Sequence, residues 1–281
     1  MSGIKYFSLA EPMPKGAISP IVRMDADVIP GCMYSEACWY AAPYSDAGMV
    51  RFKSDNVLVF VGSDAGDSEN LNAELELWIE NDRLTLTRTC AVFIPAGAAH
   101  GKFSVKNITK PVFHYSWQPT AGYYNAEPAE ASAPAGAYAN NVVERYVPTS
   151  GKLPDAPEGF LQLLLYLDSV RLPGAPYMET VWFKTANDTG PAPHEHDFDE
   201  FIGFIGTDPA RPDELNAEVQ FYIGDEPVSV TKSCLVYIPR GVKHSPIILP
   251  RLDRPIFHFS GGNGGDYARK RAVSDTNMFK I

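Results

Sequence analysis

Two histidines one residue apart, followed four residues later by a glutamate, stand in 193-PHEHDFDEFIGFIG-206. Imidazole and carboxylate are ligands for divalent transition metals. Along an extended strand, residues i and i+2 point the same way, so His194 and His196 share a face and Glu200 keeps their parity if the strand continues. The same stretch also reads as an exposed acidic turn that happens to carry two histidines, and spacing alone does not choose between these readings. A metal centre needs a further ligand from elsewhere in the chain. His244 is the candidate: in 239-PRGVKH-244, proline and glycine make a tight turn that would deliver this histidine at the start of the following strand.

The elements that must position these residues belong to an internal repeat. The stretch 60-FVGSDAGDSENLNAELELWIENDRLTLTRTCAVFIPAGAAH-100 aligns without a gap on 204-FIGTDPARPDELNAEVQFYIGDEPVSVTKSCLVYIPRGVKH-244, at a constant offset of 144 (244 − 100). Gly62 falls on Gly206, Cys90 on Cys234, His100 on His244 and the two LNAE blocks on each other, while 110-KPVFHYS-116 lies over 254-RPIFHFS-260 and pairs His114 with His258. Upstream the offset is 143, with Glu36 over Glu179 and Trp39 over Trp182, so one residue was gained or lost between about 40 and 58. A repeat of this length is a whole domain, not a solenoid unit of roughly 20 to 50 residues. The Ala-, Pro- and Gly-rich stretch 119-PTAGYYNAEPAEASAPAGAYANN-141 has linker composition. We therefore expect an N-terminal domain over 1–118, a linker over 119–158 and a C-terminal domain over 159–281. Short apolar runs such as 177-YMETVWF-183, 234-CLVYIP-239 and 255-PIFHFS-260, separated by turn residues, predict an all-β sandwich or barrel in each.

With both motifs in hand, 194-HEHDFDE-200 and 239-PRGVKH-244 resemble the two cupin motifs, HxHxxxE and PxGxxH, and the duplication makes the chain resemble a bicupin. The resemblance implies two tandem jelly-roll barrels, the second holding one divalent metal (Fe, Mn, Ni, Cu or Zn) on His194, His196, Glu200 and His244. Asp188, Thr207 and Ser233 stand where the family motifs usually carry glycine, which alters turns and not ligands. In the first half, Val50 and Phe52, or Arg51 and Lys53, occupy the histidine positions and Asn56 or Val57 the glutamate position. Only His100 survives there, and that half is read as a structural or dimerising cupin without chemistry.

His258 either enters the cavity as a catalytic hydrogen-bond donor or is a satisfied core histidine; its pairing with His114 favours the structural role. Ile202 and Phe204 share the parity of Glu200 and are expected to wall the site, whereas Asp197 and Asp199 have the other parity and are read as solvated or as supports that orient an imidazole. A metal with four protein ligands keeps one or two positions open, enough for a chelating substrate, dioxygen or both. Dioxygenase-like chemistry on a small molecule is the leading reading. The alternatives are a metal-dependent isomerase or lyase, a non-catalytic small-ligand binding or sensing protein, and a metal-stabilised scaffold.

The formal charge of −10 argues against a basic surface for phosphate backbones or anionic lipid, so neither nucleic acid nor membrane is an expected partner. The N-terminus has no apolar leader-like run and no stretch approaches the ~18 apolar residues of a membrane span. A soluble, cytoplasmic protein is expected, with a homo-oligomer left open. Four cysteines without CxxC spacing read as reduced thiols, not as a disulfide framework or zinc site.

Overall fold

The computed structural model describes residues 7–9, 16–122, 124–144 and 159–264. The end of the expected linker, 145–158, and the chain ends lie outside them. The described residues form β-strands and no helix. The chain divides into two compact units, 13–145 and 146–281, with residues 1–12 belonging to the latter.

The first strand, β1 (Phe7–Leu9), is part of that latter unit. The unit 13–145 contains β2 (Ile18–Met24), β3 (Met33–Tyr40), β4 (Tyr44–Arg51), β5 (Asn56–Gly62), β6 (Asn70–Ile79), β7 (Asp82–Arg88), β8 (Cys90–Ile94), β9 (His100–Lys106), β10 (Val112–Ala121), β11 (Glu127–Pro128) and β12 (Val142–Val143). Two antiparallel sheets, ordered β12-β8-β5-β10-β3-β2 and β11-β4-β9-β6-β7, make its jelly roll. The expected linker, 119–158, thus contributes β11 and β12 to this unit.

The other unit contains β13 (Leu161–Leu167), β14 (Tyr177–Phe183), β15 (Glu200–Gly206), β16 (Glu214–Ile223), β17 (Glu226–Lys232), β18 (Cys234–Ile238), β19 (Ile248–Leu252) and β20 (Ile256–Gly262). Its large sheet, β1-β18-β15-β20-β14-β13, repeats the order of the first position by position. The register agrees too: Val142 pairs with Val92 and Phe7 with Val236, and 92 + 144 = 236. β1 therefore fills, at the edge of the second barrel, the place that β12 fills in the first.

Alternation explains the cores. Along β6 and β16 every second residue is buried, the period-2 signature of a sheet with one wet face. β15 and β20 are buried throughout, and Glu200, His258 and Ser260 are the polar residues they carry. Inside the second barrel Phe183, Ile202, Phe204, Val219, Phe221 and Val236 pack together, and Tyr40, Phe60, Leu75, Leu77 and Val92 do so inside the first. Each such side chain contributes about 1.5 to 3 kcal/mol of transfer free energy.

The repeated LNAE blocks sit within β6 and β16, where Asn72 and Asn216 adopt left-handed φ values of 56° and 55°. Asparagine tolerates that region, and each uses its carbonyl to accept a backbone N–H, from Thr109 and Asp253 respectively. Gly206 is required for a different reason. A Cβ built there would lie 2.0 Å from the Glu214 carbonyl oxygen, while the Gly206 N–H donates to Ser233 Oγ at 3.0 Å. Gly62 repeats this arrangement against Asn70 and Thr89. Ser233, which departs from the motif glycine, is thus a buried hydroxyl that ties the end of β15 to the turn before β16, since it also donates to the Pro212 carbonyl at 2.7 Å. Replacing Gly206 with alanine must move backbone, and we expect Gly206→Ala to destabilise the protein by ~1 to 3 kcal/mol in urea unfolding; an unchanged midpoint would contradict the close approach.

Candidate metal centre

The strand expected to carry His194 and His196 is not regular. Pro191 and Pro193 lack the N–H that a ladder requires, and the segment opposite β19 is reduced to isolated bridges, Asn187 to Leu249 and His194 to His244. The second bridge is complete: His194 N–H donates to the His244 carbonyl at 3.0 Å and His244 N–H to that of His194 at 2.9 Å. The proline–glycine turn before His244 places Gly241 at φ 75°, a value that favours glycine, and its N–H donates to the His196 carbonyl at 2.8 Å. Both motifs are stitched to each other by backbone before any side chain is considered.

That stitching brings three imidazoles together. Each of His194, His196 and His244 offers a ring nitrogen within 4.8 Å of the others, and all three are buried. His194 Nδ1 lies 2.8 Å from the Ala192 carbonyl and His244 Nδ1 3.1 Å from that of Val242. A carbonyl only accepts, so these Nδ1 atoms carry the protons and the Nε2 lone pairs are left to face the cluster. Glu200, the first residue of β15, joins them: its Oε2 is 3.0 Å from His244 Nε2 and 3.5 Å from His196 Nε2. Burial pushes the Glu200 carboxyl up, and the contact with a protonated His244, with the charge of protonated His196 and His194, pulls it below the ordinary carboxylate range; a cation held by neutral rings would supply the same charge. A buried carboxylate is therefore ionised where positive charge stands beside it. Neutral imidazoles with outward-tied Nδ1–H groups and an ionised carboxylate form a donor set that fits a divalent transition metal.

The surroundings fix this set. Phe198 stacks on the His196 ring with centroids 4.6 Å apart, and it packs so closely under Gly262 that a Cβ there would come within 2.3 Å of it. Asp199 receives the Arg240 backbone N–H at 2.9 Å and the Asn263 side-chain N–H at 3.1 Å, and it pairs with the Arg240 guanidinium at 3.2 Å. It thereby clamps the first motif to the turn of the second instead of touching an imidazole. Asp197 is exposed. Phe198 shares the parity of His196 and Glu200, so the signal that would have found it was present. The partnership of Asp199 with Arg240 and Asn263 spans 41 and 64 residues and leaves no local trace.

Ile202 and Phe204 lie in the barrel core as expected. His258 does as well, paired across the sheet with Phe204 and Val181 and stacked between Phe183 and Phe204 at 4.9 Å from each. Its Nδ1 donates to the Gly203 carbonyl at 3.2 Å. His114 has the same place in the first barrel, stacked on Phe60 at 4.5 Å and donating to the Val59 carbonyl at 2.9 Å.

The first barrel also shows which residues replace the ligands. Val50 pairs with His100 as His194 does with His244, Gly97 N–H donates to the Phe52 carbonyl as Gly241 does to His196, and Asn56 opens β5 as Glu200 opens β15. Of the two registers left open, the structure selects Val50, Phe52 and Asn56. His100 Nδ1 keeps its bond to the Ala98 carbonyl at 3.1 Å, and Asn56 Nδ2 lies 3.4 Å from His100 Nε2. A neutral amide there takes the place of the carboxylate.

No family model matches the chain, and a search of the curated proteins finds no match. Solved structures with the same fold do exist. A point variant of Bacillus subtilis oxalate decarboxylase superimposes with a TM-score of 0.62 at 9% identity, covering 96% of this chain and 80% of that chain. The structure of that enzyme at pH 4.6 gives 0.61 at 10% identity, with 96% and 78% covered. At such identity the likeness establishes the cupin fold, and the buried histidine triad supplies a place that could bind a metal.

The two core histidines generate a pH dependence. Burial pushes His114 and His258 down to about 4, against the backbone hydrogen bonds that raise them. In the unfolded chain a histidine titrates near ~6.5. Between that value and about 4 the unfolded state binds more protons than the folded one, so stability falls as pH drops through this window and is fully present above it. We expect the unfolding free energy to drop by a few kcal/mol between about pH 7 and about pH 4.5, and His114→Gln, in the barrel without the ligand set, to flatten part of that slope. An identical pH profile in His114→Gln would show that this ring titrates in the fold as it does in the unfolded chain.

Proposed function

We propose that the chain is a bicupin whose second barrel holds one divalent transition metal on His194, His196, Glu200 and His244, and that it acts as a mononuclear metal enzyme on a small molecule. The observation that carries this reading is the convergence of three buried imidazole nitrogens with the Glu200 carboxylate, whose oxygen lies 3.0 Å from His244 Nε2. A metal held there would supply Lewis acidity or redox chemistry to a chelating substrate through its remaining positions. The chain's own residues do the rest. The Ala192 and Val242 carbonyls keep His194 and His244 in the tautomer that presents Nε2, and Phe198 holds the His196 plane. Ile202 and Phe204 keep the barrel floor apolar, which favours a substrate with a polar chelating end and a compact body. His258, stacked and hydrogen-bonded to Gly203, supports the barrel wall.

Dioxygenase-like chemistry remains the leading reaction class. A lyase is the second reading, favoured by the fold neighbours, which are decarboxylases. Net oxygen uptake matched to product by the iron-loaded protein supports the first. Product formed from a carboxylic acid without net oxygen uptake supports the second.

Elemental analysis of the purified protein should find about one metal per chain. His194→Ala and His244→Ala should each release it, lowering affinity at least about 100-fold, while leaving the circular dichroism of the fold in place, because the first barrel forms the same sheet with Val50 opposite His100. His258→Ala should retain the metal and instead lose ~1 to 3 kcal/mol of stability. Metal retained in His244→Ala but lost in His258→Ala would overturn the ligand assignment.

A further inference from the structure

The first barrel has a use for its interior that does not depend on a metal. A cavity of about 210 Å³ opens into it, with Asp46, Gly48 and Tyr124 at the mouth and Phe60, Leu77 and His114 deeper in. That volume is below the few hundred Å³ of a typical drug-sized site, so its occupant is small. Among the described residues the donor group able to gather a metal is His194, His196 and His244, in the other barrel.

The chemistry of the lining selects a sign of charge. Glu36 and Asp46 contribute carboxylates, and none of the lining residues is a lysine or arginine. Glu36 lies on the inner row of its sheet, paired across it with Ser116, whose hydroxyl donates to it at 3.4 Å. The Tyr34 hydroxyl is pushed up by burial and then by the charge of Glu36. The two histidines add no positive charge to offset these carboxylates, since burial pushes His114 down to about 4 and lowers His100 as well. Their Nδ1–H groups are committed to the Val59 and Ala98 carbonyls.

Aromatic rings supply the walls. Tyr40 and Phe103 pack with centroids 5.3 Å apart, Phe60 stacks on Phe103 at 5.6 Å, and Phe52 meets Tyr124 edge-on at 5.2 Å. Ring faces with carboxylates among them attract an organic cation and repel an anion. We propose that this cavity binds a small organic ammonium ion, its charge directed at Glu36 and its apolar body held by Tyr40, Phe52, Phe103 and Tyr124. Phe52 stands where the other barrel has His196, and Asn56 where it has Glu200. The changes that removed the ligand set therefore also furnished part of this pocket.

Isothermal titration of the full chain with choline, with its neutral carbon isostere dimethylbutanol and with acetate tests the assignment. Choline should bind at one site per chain, at least about tenfold more tightly than dimethylbutanol, and acetate should not bind. Treatment with EDTA, which strips metal from the second barrel, should leave choline affinity unchanged. Glu36→Gln should weaken choline at least about tenfold. Tyr124→Ala, at a ring that is 53% exposed and so dispensable for folding, should weaken it a few-fold. Equal binding of dimethylbutanol, any saturable binding of acetate, loss of choline binding after EDTA, or choline affinity unchanged in Tyr124→Ala would each overturn the proposal. So would the absence of choline binding at millimolar concentration.

Discussion

A buried carboxyl can ionise only where positive charge stands beside it, and Glu200 is a buried carboxyl set among three imidazoles. Desolvating an isolated carboxylate costs several kcal/mol even after relaxation, and the fold does not avoid this cost by leaving the residue at the surface. It places Glu200 at the start of a fully buried strand, within 3.5 Å of two imidazoles. The rest of the second barrel is arranged around that demand. The backbone bridge between His194 and His244, the Gly241 turn and the stacking of Phe198 all hold imidazoles where they answer it. A bound divalent cation would meet the same demand and use all three rings at once.

The first barrel shows the same scaffold once that demand is removed. Asn56 is uncharged, so its amide needs a hydrogen bond and no counter-charge, and the single retained His100 lies within reach of it at 3.4 Å. With no charge to neutralise, the other two positions are released from carrying imidazole, and Val50 and Phe52 occupy them. The strand changes in step. β4 is a continuous eight-residue strand in the first barrel, with a register shift between Asp46 and Met49, while its counterpart in the second is interrupted by Pro191 and Pro193 and keeps only isolated bridges.

How much of this was legible in the chain depends on whether the cause is local. The all-β class and the duplication followed from strand-length apolar runs and a gapless offset, because the period of burial is written directly into residue order. The grouping of His194, His196, Glu200 and His244 was legible as a pair of motifs, although the regular strand expected beneath the first one was overridden by two prolines whose missing N–H groups were themselves in view. The register of the other half was undecided between two alignments, and it took the pairing of Val50 with His100, the bond from Gly97 to Phe52 and the start of β5 at Asn56 to resolve it. Three features had no local signature: the Asp199 clamp, the addition of β1 to the edge of the second barrel, and the incorporation of residues 127–128 and 142–143 into the first. Each is a pairing across more than forty residues or a short strand in a stretch whose composition resembles a linker.

β1 and β12 make the last point about architecture. A jelly-roll sheet that ends at β8 or β18 presents unpaired N–H and C=O groups, an edge that has to be covered. In the first barrel the chain that leaves the barrel returns two residues, Val142 and Val143, to do this. In the second the equivalent pairing, at Val236 and Leu235, is made by Phe7 and Ser8 from the opposite end of the sequence. The same edge is closed by different parts of the chain because the constraint is geometric: any short extended segment with free backbone groups satisfies it, so residue identity at these positions is weakly specified. The four positions of the two motifs obey the opposite logic. Their backbone pairings are kept in both barrels, and what differs is the side-chain chemistry, imidazole and carboxylate in one against valine, phenylalanine and amide in the other. Backbone pairing preserves the fold, and a handful of inward-facing side chains sets what each barrel can hold.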